Sequence, residues 1–491
     1  MNYLAIDLGA ESGRVIKGTL NNQRLELEVL HRFANRPVLL PDGLHWDTLY
    51  LFSEIKHGLT LFHRKYGRDL AGISCDSWGV DYGLLDKNDC LVSNPYHYRD
   101  HRTDGVMEKV FEITPPFEIY RETGIQFMPI NTIFQLYCQA LSNPELLSAS
   151  RKMLMTADLF NFFLSGAKTQ EFSLATTSQL YNPVSGTWSE TLFRKLGLPL
   201  EIMPLVCPPA TVIGKLTGKL AAETGLPEIP VIAGASHDTA DAVAACPAQK
   251  NERFAYLSSG TWSLLGVEIP KPLLSKDAME DGFTNEGGVR DTIRFLHNIT
   301  GLWILQECRR KWLKSGADGL DYAALVSLAE KTAPFKALIN PDDPAFLAPA
   351  DMEEAIVNFC RKTKQPVPVT RAEFVRTILE SLALRYSRFV RIINRLFPDR
   401  KPIAVLYIVG GGSQNRLLNQ FTANAAGVPV IAGPTEATAA GNILTQALAV
   451  KEISALSEAR EIVRNSFALE TYLPSDQDAW LAAGERLEGL S

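Results

Sequence analysis

Leu4-Ala5-Ile6-Asp7-Leu8-Gly9-Ala10 reads as a short buried strand that runs into a carboxylate and then a glycine turn. Ala255-Tyr256-Leu257-Ser258-Ser259-Gly260-Thr261 repeats that outline about half a chain later. Around the first copy, alternation predicts strands over Tyr3–Ile6, Arg14–Leu20 and Arg24–Phe33, with Leu25, Leu27 and Val29 on one face of the last. Asp47 is placed to cap a helix whose apolar residues Leu51, Phe52, Ile55, Leu59 and Phe62 fall at helical spacing, and Gly67 to stop it. Ala71–Cys75 reads as a fourth strand. Three meandering strands, a helix and another strand differ from the strict β-α alternation of a dinucleotide fold. Around the second copy the same order is expected: strands Phe254–Ser258, Trp262–Ile269 and Thr292–Asn298, a helix Leu302–Leu313, and a late buried strand Ile403–Val409. The expectation is a duplicated α/β core with a cleft between its halves, residues 1–246 and 247–491, the boundary lying where Ala244-Ala245-Cys246-Pro247 breaks into polar Gln249-Lys250-Asn251-Glu252. Residues 95–230 carry many prolines and glycines and read as an insertion-rich cover on the first half.

Composition excludes several classes. With 491 residues and 46% hydrophobic side chains, the chain can bury full-sized cores and is not disordered. Lys+Arg 49 against Asp+Glu 55 leaves a formal charge of −6, which argues against nucleic-acid or membrane-surface partners. No apolar stretch approaches the length of a spanning helix, and Met1–Asp7 reaches a carboxylate with no basic region before it, unlike a secretory signal. The seven cysteines show no CxxC or Cys/His ligand spacing, so neither a disulfide framework nor a structural zinc site is expected. A cytoplasmic protein of enzyme size is the expectation.

Four stretches could carry chemistry. Asp7-Leu8-Gly9-Ala10-Glu11-Ser12-Gly13-Arg14 suits a hairpin whose backbone N–H groups face phosphate oxygens, because glycine permits close approach. A carboxylate there makes sense only with a divalent cation or its waters interposed. Neither GxxxxGK[ST] nor GxGxxG occurs there, so it is not a Walker loop, and an ordinary β-turn is the alternative. Val409-Gly410-Gly411-Gly412-Ser413-Gln414-Asn415 follows an apolar strand and precedes a helical pattern, the place where open α/β sheets bind ligands. Ser236-His237-Asp238-Thr239 follows the apolar run Val231–Ala233; Asp238 there could cap the next helix or take a proton from a substrate hydroxyl. Asp76-Ser77-Trp78-Gly79-Val80-Asp81, with Tyr98-Arg99-Asp100 beyond it, combines the aromatic face and paired polar ends of a sugar pocket, or else packing and surface ion pairs. Asp100-His101-Arg102-Thr103-Asp104 reads as a solvated loop, and His31, His45, His57, His63, His97, His101 and His297 have no ligand spacing.

Together these stretches resemble the FGGY carbohydrate kinases, the sugar-kinase branch of the actin/hexokinase/Hsp70-type ATPases. The resemblance rests on DLGAESGR (7–14), SWGVDYGLLD (77–86), GIQFMPINTIFQL (124–136), SHDTADAV (236–243), YLSSGTWSL (256–264), TNEGG (284–288), NITGLWILQE (298–307) and IVGGGSQN (408–415). These stretches lie in family order along nearly the whole chain, and 124–136 and 298–307 point to one ketose-phosphorylating branch. The resemblance implies two ribonuclease-H-like domains with ATP held between them, the first carrying the sugar and the phosphate loop and the second the nucleotide. It implies that Ala10, Glu11, Ser12, Gly13, Arg14, Thr261, Gln306 and Gly411 contact ATP, with Glu11 the awkward member because a carboxylate repels phosphate. Gly79, His237, Asp238, Thr239 and Asn298 would contact the sugar, Asp238 would accept its proton, and Asp7 would hold Mg²⁺ through water. The implied reaction is MgATP-dependent phosphorylation of O1 of a ketose, L-rhamnulose first, with L-fuculose, L-xylulose or another ketose as alternatives. An actin- or Hsp70-like ATPase is the rival of another class. No obligate protein partner is implied.

Overall fold

The protein is described here by a computed structural model covering residues 1–314 and 321–490. Two mixed β-sheets organise the chain, each grown from one of the hairpins above. The first runs, edge to edge, Thr211–Lys215, Pro230–Ala233, Gly72–Ser77, Asn2–Leu8, Ser12–Asn21, Arg24–Ala34. The second runs Thr284–Gly287, Ile293–Thr300, Trp262–Ile269, Phe254–Ser259, Val405–Val409, Val430–Ala432, Glu470–Tyr472. Setting aside the extra edge strand Thr284–Gly287, the two orders correspond strand for strand. In both, the founding hairpin is antiparallel, the next two strands are parallel to its first strand, and the last turns antiparallel.

Central strands such as Val405–Val409 are buried at every residue, which is why they read as unbroken apolar runs. The helix Thr48–Tyr66 buries Leu51, Ile55, Leu59 and Phe62 along one stripe. Asp47 caps it by accepting the Tyr50 N–H at 3.1 Å, and Gly67 ends it at φ +73°. Strand ends lie within two residues of the sequence expectation and Trp262–Ile269 matches at both; the small offsets arise because ladder pairing rather than apolar content sets the ends.

The structure adds to the sequence reading in three places. A hairpin, Val38–Leu40 with Gly43–His45, was not foreseen; Val38, Leu39 and Leu40 are all exposed, so no alternation marks it. Residues 95–230, read as an insertion-rich cover, carry eight α-helices, with Pro116 and Pro144 at first helical positions, where no N–H is required. Asp100–Asp104 is solvated only in part: His101 and Asp104 are exposed, but Asp100 accepts the Leu44 N–H at 2.7 Å and the Arg102 N–H at 2.9 Å, closing a 3₁₀ turn over His101–Thr103.

The chain forms two compact units, Met1–Ala245 with Glu268–Phe295 and Ala437–Ser466, and Cys246–Val267 with Leu296–Glu436 and Phe467–Ser491. In the first, the helix Ala437–Ala449 lies against the sheet, and Gln446 donates to the Leu4 carbonyl at 2.9 Å. Gly441 allows the helix Asp238–Ala244 to cross it, since a Cβ there would sit 1.8 Å from the Asp241 carbonyl oxygen. Among the described residues no helix is long and apolar enough to cross a membrane.

Candidate active site

In the first unit, three neighbouring parallel strands end side by side: Asn2–Leu8, Gly72–Ser77 and Pro230–Ala233. Their C-terminal ends carry the turn at Gly9, the Trp78-Gly79 stretch and the Ser236-His237-Asp238 stretch. The Gly9 N–H donates to the Ser12 carbonyl at 3.0 Å and closes the hairpin. Asn35, which sequence reasoning missed, pins the tip from the neighbouring strand. Its N–H donates to the Glu11 carbonyl at 3.0 Å and its amide to the Gly9 carbonyl at 2.9 Å. Ala10, Ser12 and Arg14 are half-buried, Gly13 is buried and the Glu11 side chain is exposed. Register places Asp7 opposite Arg14, and the two side chains form an ion pair.

Asp7 also lies opposite Asp76 across the parallel ladder. Asp76 is fully buried; Asn442 donates to its Oδ2 at 2.6 Å, and its Oδ1 has no partner. Burial, then the charges of Asp7, Asp241 and Asp238, pushes Asp76 well above the usual carboxylate range. Asp241 is raised by burial in the same way, although Thr445 donates to it.

Asp81 is the hub of a buried polar centre. Its Oδ2 accepts from Trp46 Nε1 at 2.6 Å, Trp78 Nε1 at 3.0 Å and the Tyr98 N–H at 3.2 Å, and its Oδ1 from Gln135 Nε2 at 2.9 Å. Trp46 stacks on His97 and tilts onto Trp78 with centroids 4.1 Å apart in each case. These residues form a rigid wall, and Asp81 has its oxygens committed inside it. Above the wall, Val80 holds φ +68°, a costly conformation for a β-branched residue, fixed by Thr132 Oγ1 donating to its carbonyl at 2.6 Å. Gly79 packs on Thr177: a Cβ there would come within 3.0 Å of Thr177 Oγ1.

Ser77 and His237 pair in parallel, which brings Gly79 beside the 237–239 stretch. The helix that follows begins at Asp238, so its cap position falls on His237, whose side chain makes no cap bond. Asp238 is 32% exposed and accepts Thr239 Oγ1 at 3.0 Å. Of the two roles left open for Asp238, the helix cap is therefore not the one it occupies. His237 Nε2 lies 3.6 Å from Asp238 Oδ1. On its other side, His237 Nδ1 lies 2.9 Å from Arg294 Nη2 and 3.3 Å from Glu286 Oε2, both from the edge hairpin 284–295.

In the second unit the two glycine turns adjoin. Ser258 pairs with Val409, and the Gly260 N–H donates to the Trp262 carbonyl at 2.9 Å. Gly412 packs on Ser259 so closely that a Cβ would sit 2.0 Å from its Oγ, whereas a Cβ at exposed Gly411 would meet nothing within 4 Å. Gly410 holds φ +84°. The Leu302 and Trp303 N–H groups donate to the carbonyls of Gly260 and Thr261 at 3.0 and 3.1 Å, which seats the helix Trp303–Lys314, with Gln306 on it, against the first turn. Thr261, Gln306 and Gly411 thus share one region, with Asn298 half-buried on the strand Ile293–Thr300.

Among the described residues no three His, Cys, Asp or Glu side chains converge to ligate a metal directly. The mutual repulsion around Asp76 and its orphaned oxygen fit a divalent cation held through its waters.

The family model described as "FGGY family of carbohydrate kinases, N-terminal domain" matches residues 2–245, and its C-terminal counterpart matches residues 255–450. The chain is similar to the rhamnulokinase of Bacteroides thetaiotaomicron, 44% identical over 482 residues and covering 98% of both chains. It is 38% identical to the rhamnulokinase of Bacillus subtilis over 478 residues, 97% of this chain and 96% of that one. Among solved structures it resembles a ligand-bound xylulose kinase from Lactobacillus acidophilus, with a TM-score of 0.80 at 15% identity over 100% of this chain and 96% of that one. A glycerol kinase from Plasmodium falciparum with ADP matches with a TM-score of 0.76 at 16% identity, over 100% and 97%.

Proposed function

The chain belongs to the FGGY family of carbohydrate kinases, and from that premise we propose that it transfers the γ-phosphoryl group of ATP to O1 of L-rhamnulose. The products are L-rhamnulose 1-phosphate and ADP. The observation that carries the reading is Asp238, an accessible carboxylate at the end of a parallel strand, beside Gly79 and a buried aromatic wall. Rhamnulokinases sharing 38% and 44% of its residues over nearly the full length support the choice of ketose.

In this reading Asp238 accepts the O1 proton as the bond to phosphorus forms, while His237, Thr239, Gly79 and Asn298 orient the sugar. The hairpin tip, Ala10 to Gly13, offers backbone N–H groups to phosphate oxygens, and Arg14 adds a positive charge held in place by Asp7. The exposed Glu11 side chain can turn away from the phosphates, so its part in ATP binding is through the backbone. In the second unit Thr261, Gln306 and Gly411 take the nucleotide. Mg²⁺ bound through water by Asp7 would neutralise charge on the phosphates.

The test is ADP release by the purified protein against a panel of L-rhamnulose, L-fuculose, L-xylulose and D-xylulose. The expected result is a kcat/KM for L-rhamnulose at least about tenfold above every other ketose, a discrimination worth about 1.4 kcal/mol. Preference for L-fuculose or L-xylulose would move the assignment to a sister kinase, and sugar-independent ADP release would return it to a partner-driven ATPase.

A further inference from the structure

We propose that buried Arg294, held beside Glu286, locks His237 in the tautomer that carries its proton on Nε2. Arg294 is a positioning residue for this site, acting through the imidazole. Its side chain is fully buried; Nε donates to the Gly287 carbonyl at 2.8 Å, and Nη2 lies 2.9 Å from His237 Nδ1 and 3.0 Å from Glu286 Oε2. A guanidinium can only donate and keeps its charge at any physiological pH. Nδ1 at 2.9 Å must therefore present its lone pair. A proton on Nδ1 would face the guanidinium N–H head-on, although Glu286 Oε2 stands 3.3 Å away as a competing acceptor.

Burial pushes the Glu286 carboxyl up, and the Arg294 guanidinium is the largest influence against it; the carboxyl stays below its ordinary range, so the pair is an ionised salt bridge whose net charge is zero. The groups facing His237 are Asp238 on its own helix, Glu286 and Arg294 on the edge hairpin, and Ser173, whose Oγ accepts the His237 N–H at 3.0 Å. Ser173 in turn donates to Glu171, so the ring's backbone is anchored too.

With Nε2 protonated, the site presents a fixed donor and the Asp238 acceptor 3.6 Å apart. That spacing suits a hydroxyl that accepts from His237 and donates to Asp238. It selects a group able to do both, and rejects a deoxy or methoxy analogue that leaves one partner unpaired. This use of His237 rests on the sugar-kinase reading above; the tautomer does not.

The experiment is nitrogen NMR of the full-length protein with ¹⁵N-labelled histidine at neutral pH, the His237 signals being assigned by their loss in His237→Gln. Expected are a pyridine-type Nδ1 and a pyrrole-type Nε2. A proton on Nδ1 in the wild type overturns the proposal without any variant. In Arg294→Met the tautomer is expected to shift toward Nδ1–H, donating to Glu286, and KM for the ketose to rise by up to about tenfold, the worth of one hydrogen bond. KM for ATP should not move. A folded Arg294→Met protein with an unchanged tautomer refutes the role of Arg294. Glu286→Gln keeps the guanidinium in place and should keep the Nε2–H form; a switch there would make Glu286 the controlling partner and overturn the proposal. A protein with the expected tautomer that phosphorylates no sugar would refute the functional reading and leave the tautomer standing.

Discussion

Asp238→Asn separates proton transfer from architecture. Asn keeps the shape of Asp and can still accept Thr239 Oγ1, which donates to Asp238 Oδ1 at 3.0 Å. The cap of the helix is His237, so no cap is lost. Removing a negative charge from the first turn costs up to about 1 kcal/mol. Asp238 is 32% exposed, which screens that term, and its removal relieves some of the repulsion felt by buried Asp76. The net change in stability should stay below about 1 kcal/mol. The change in rate is of another order: a general base contributes roughly 10²- to 10⁴-fold, or about 3 to 5 kcal/mol of barrier. Sugar-dependent ADP release measures kcat, thermal melting measures stability, and ATP titration checks the nucleotide site. The expected pattern is a collapse in kcat with the melt and ATP affinity nearly unmoved. Wild-type kcat in Asp238→Asn would falsify the base assignment. Asp81 could not replace it, since four donors already engage its oxygens, and attention would pass to Asp76 or Asp100.

Gly411→Val should weaken ATP binding by at least about tenfold with little loss of stability, because its Cβ meets no atom within 4 Å; an unchanged nucleotide Kd in the folded variant rejects that contact. Asp7→Ala breaks the ion pair with Arg14 and should raise the Mg²⁺ concentration for half-maximal activity while sparing sugar binding without metal; loss of metal-free sugar binding would make Asp7 a sugar-side or structural residue. Burial pushes Asp81 up to about 6, so the folded state holds its proton more tightly than the unfolded chain, whose value is about 3.9. This group's contribution to stability is full below about pH 4 and falls as pH rises through about 6. A difference between wild-type and Asp81→Asn denaturation across that window should show the slope, and parallel curves would contradict it.

Much of the fold was legible because its strands differ in kind. Leu4–Leu8 and Val405–Val409 are buried on both faces and stand out as apolar runs, and the helix Thr48–Tyr66 announces itself by Asp47, Gly67 and its stripe. Illegible were features fixed by distant partners. Nothing local to Asn442 or Gln446 says that the helix Ala437–Ala449 returns to the first sheet to meet Asp76 and Leu4. Gly441 was the available hint: a helix-interior glycine costs roughly 1 kcal/mol against alanine unless something must come close, and here it is the Asp241 backbone.

The same distinction explains the site. Corresponding strand ends in the two sheets carry different chemistry on one plan: Asp7 against Ser258, the Trp78-Gly79 stretch against Gly410–Gly412, and Ser236-His237-Asp238 against the residues after Ala432. Turns that follow buried strands are visible in sequence, since an apolar run meets Gly or Asp at a fixed offset, and each of the candidate stretches at residues 7–14, 76–81, 236–239 and 409–415 was found that way. The residues that tune those turns sit elsewhere. Asn35 follows an edge strand, Gln135 lies on a helix, Glu286 lies on an edge strand without counterpart in the first sheet, and Arg294 on the strand beside it. Arg294 is the readable anomaly among them, because an arginine in the apolar stretch 293–296 is buried with its strand and needs a counter-charge. Glu286 on the preceding strand is the partner across that hairpin, and the His237 ring is the third member it controls. The duplicated core supplies positions, and the added edge strand Thr284–Gly287 brings Glu286 to the Arg294–His237 contact, a charge for which the first sheet has no matching strand.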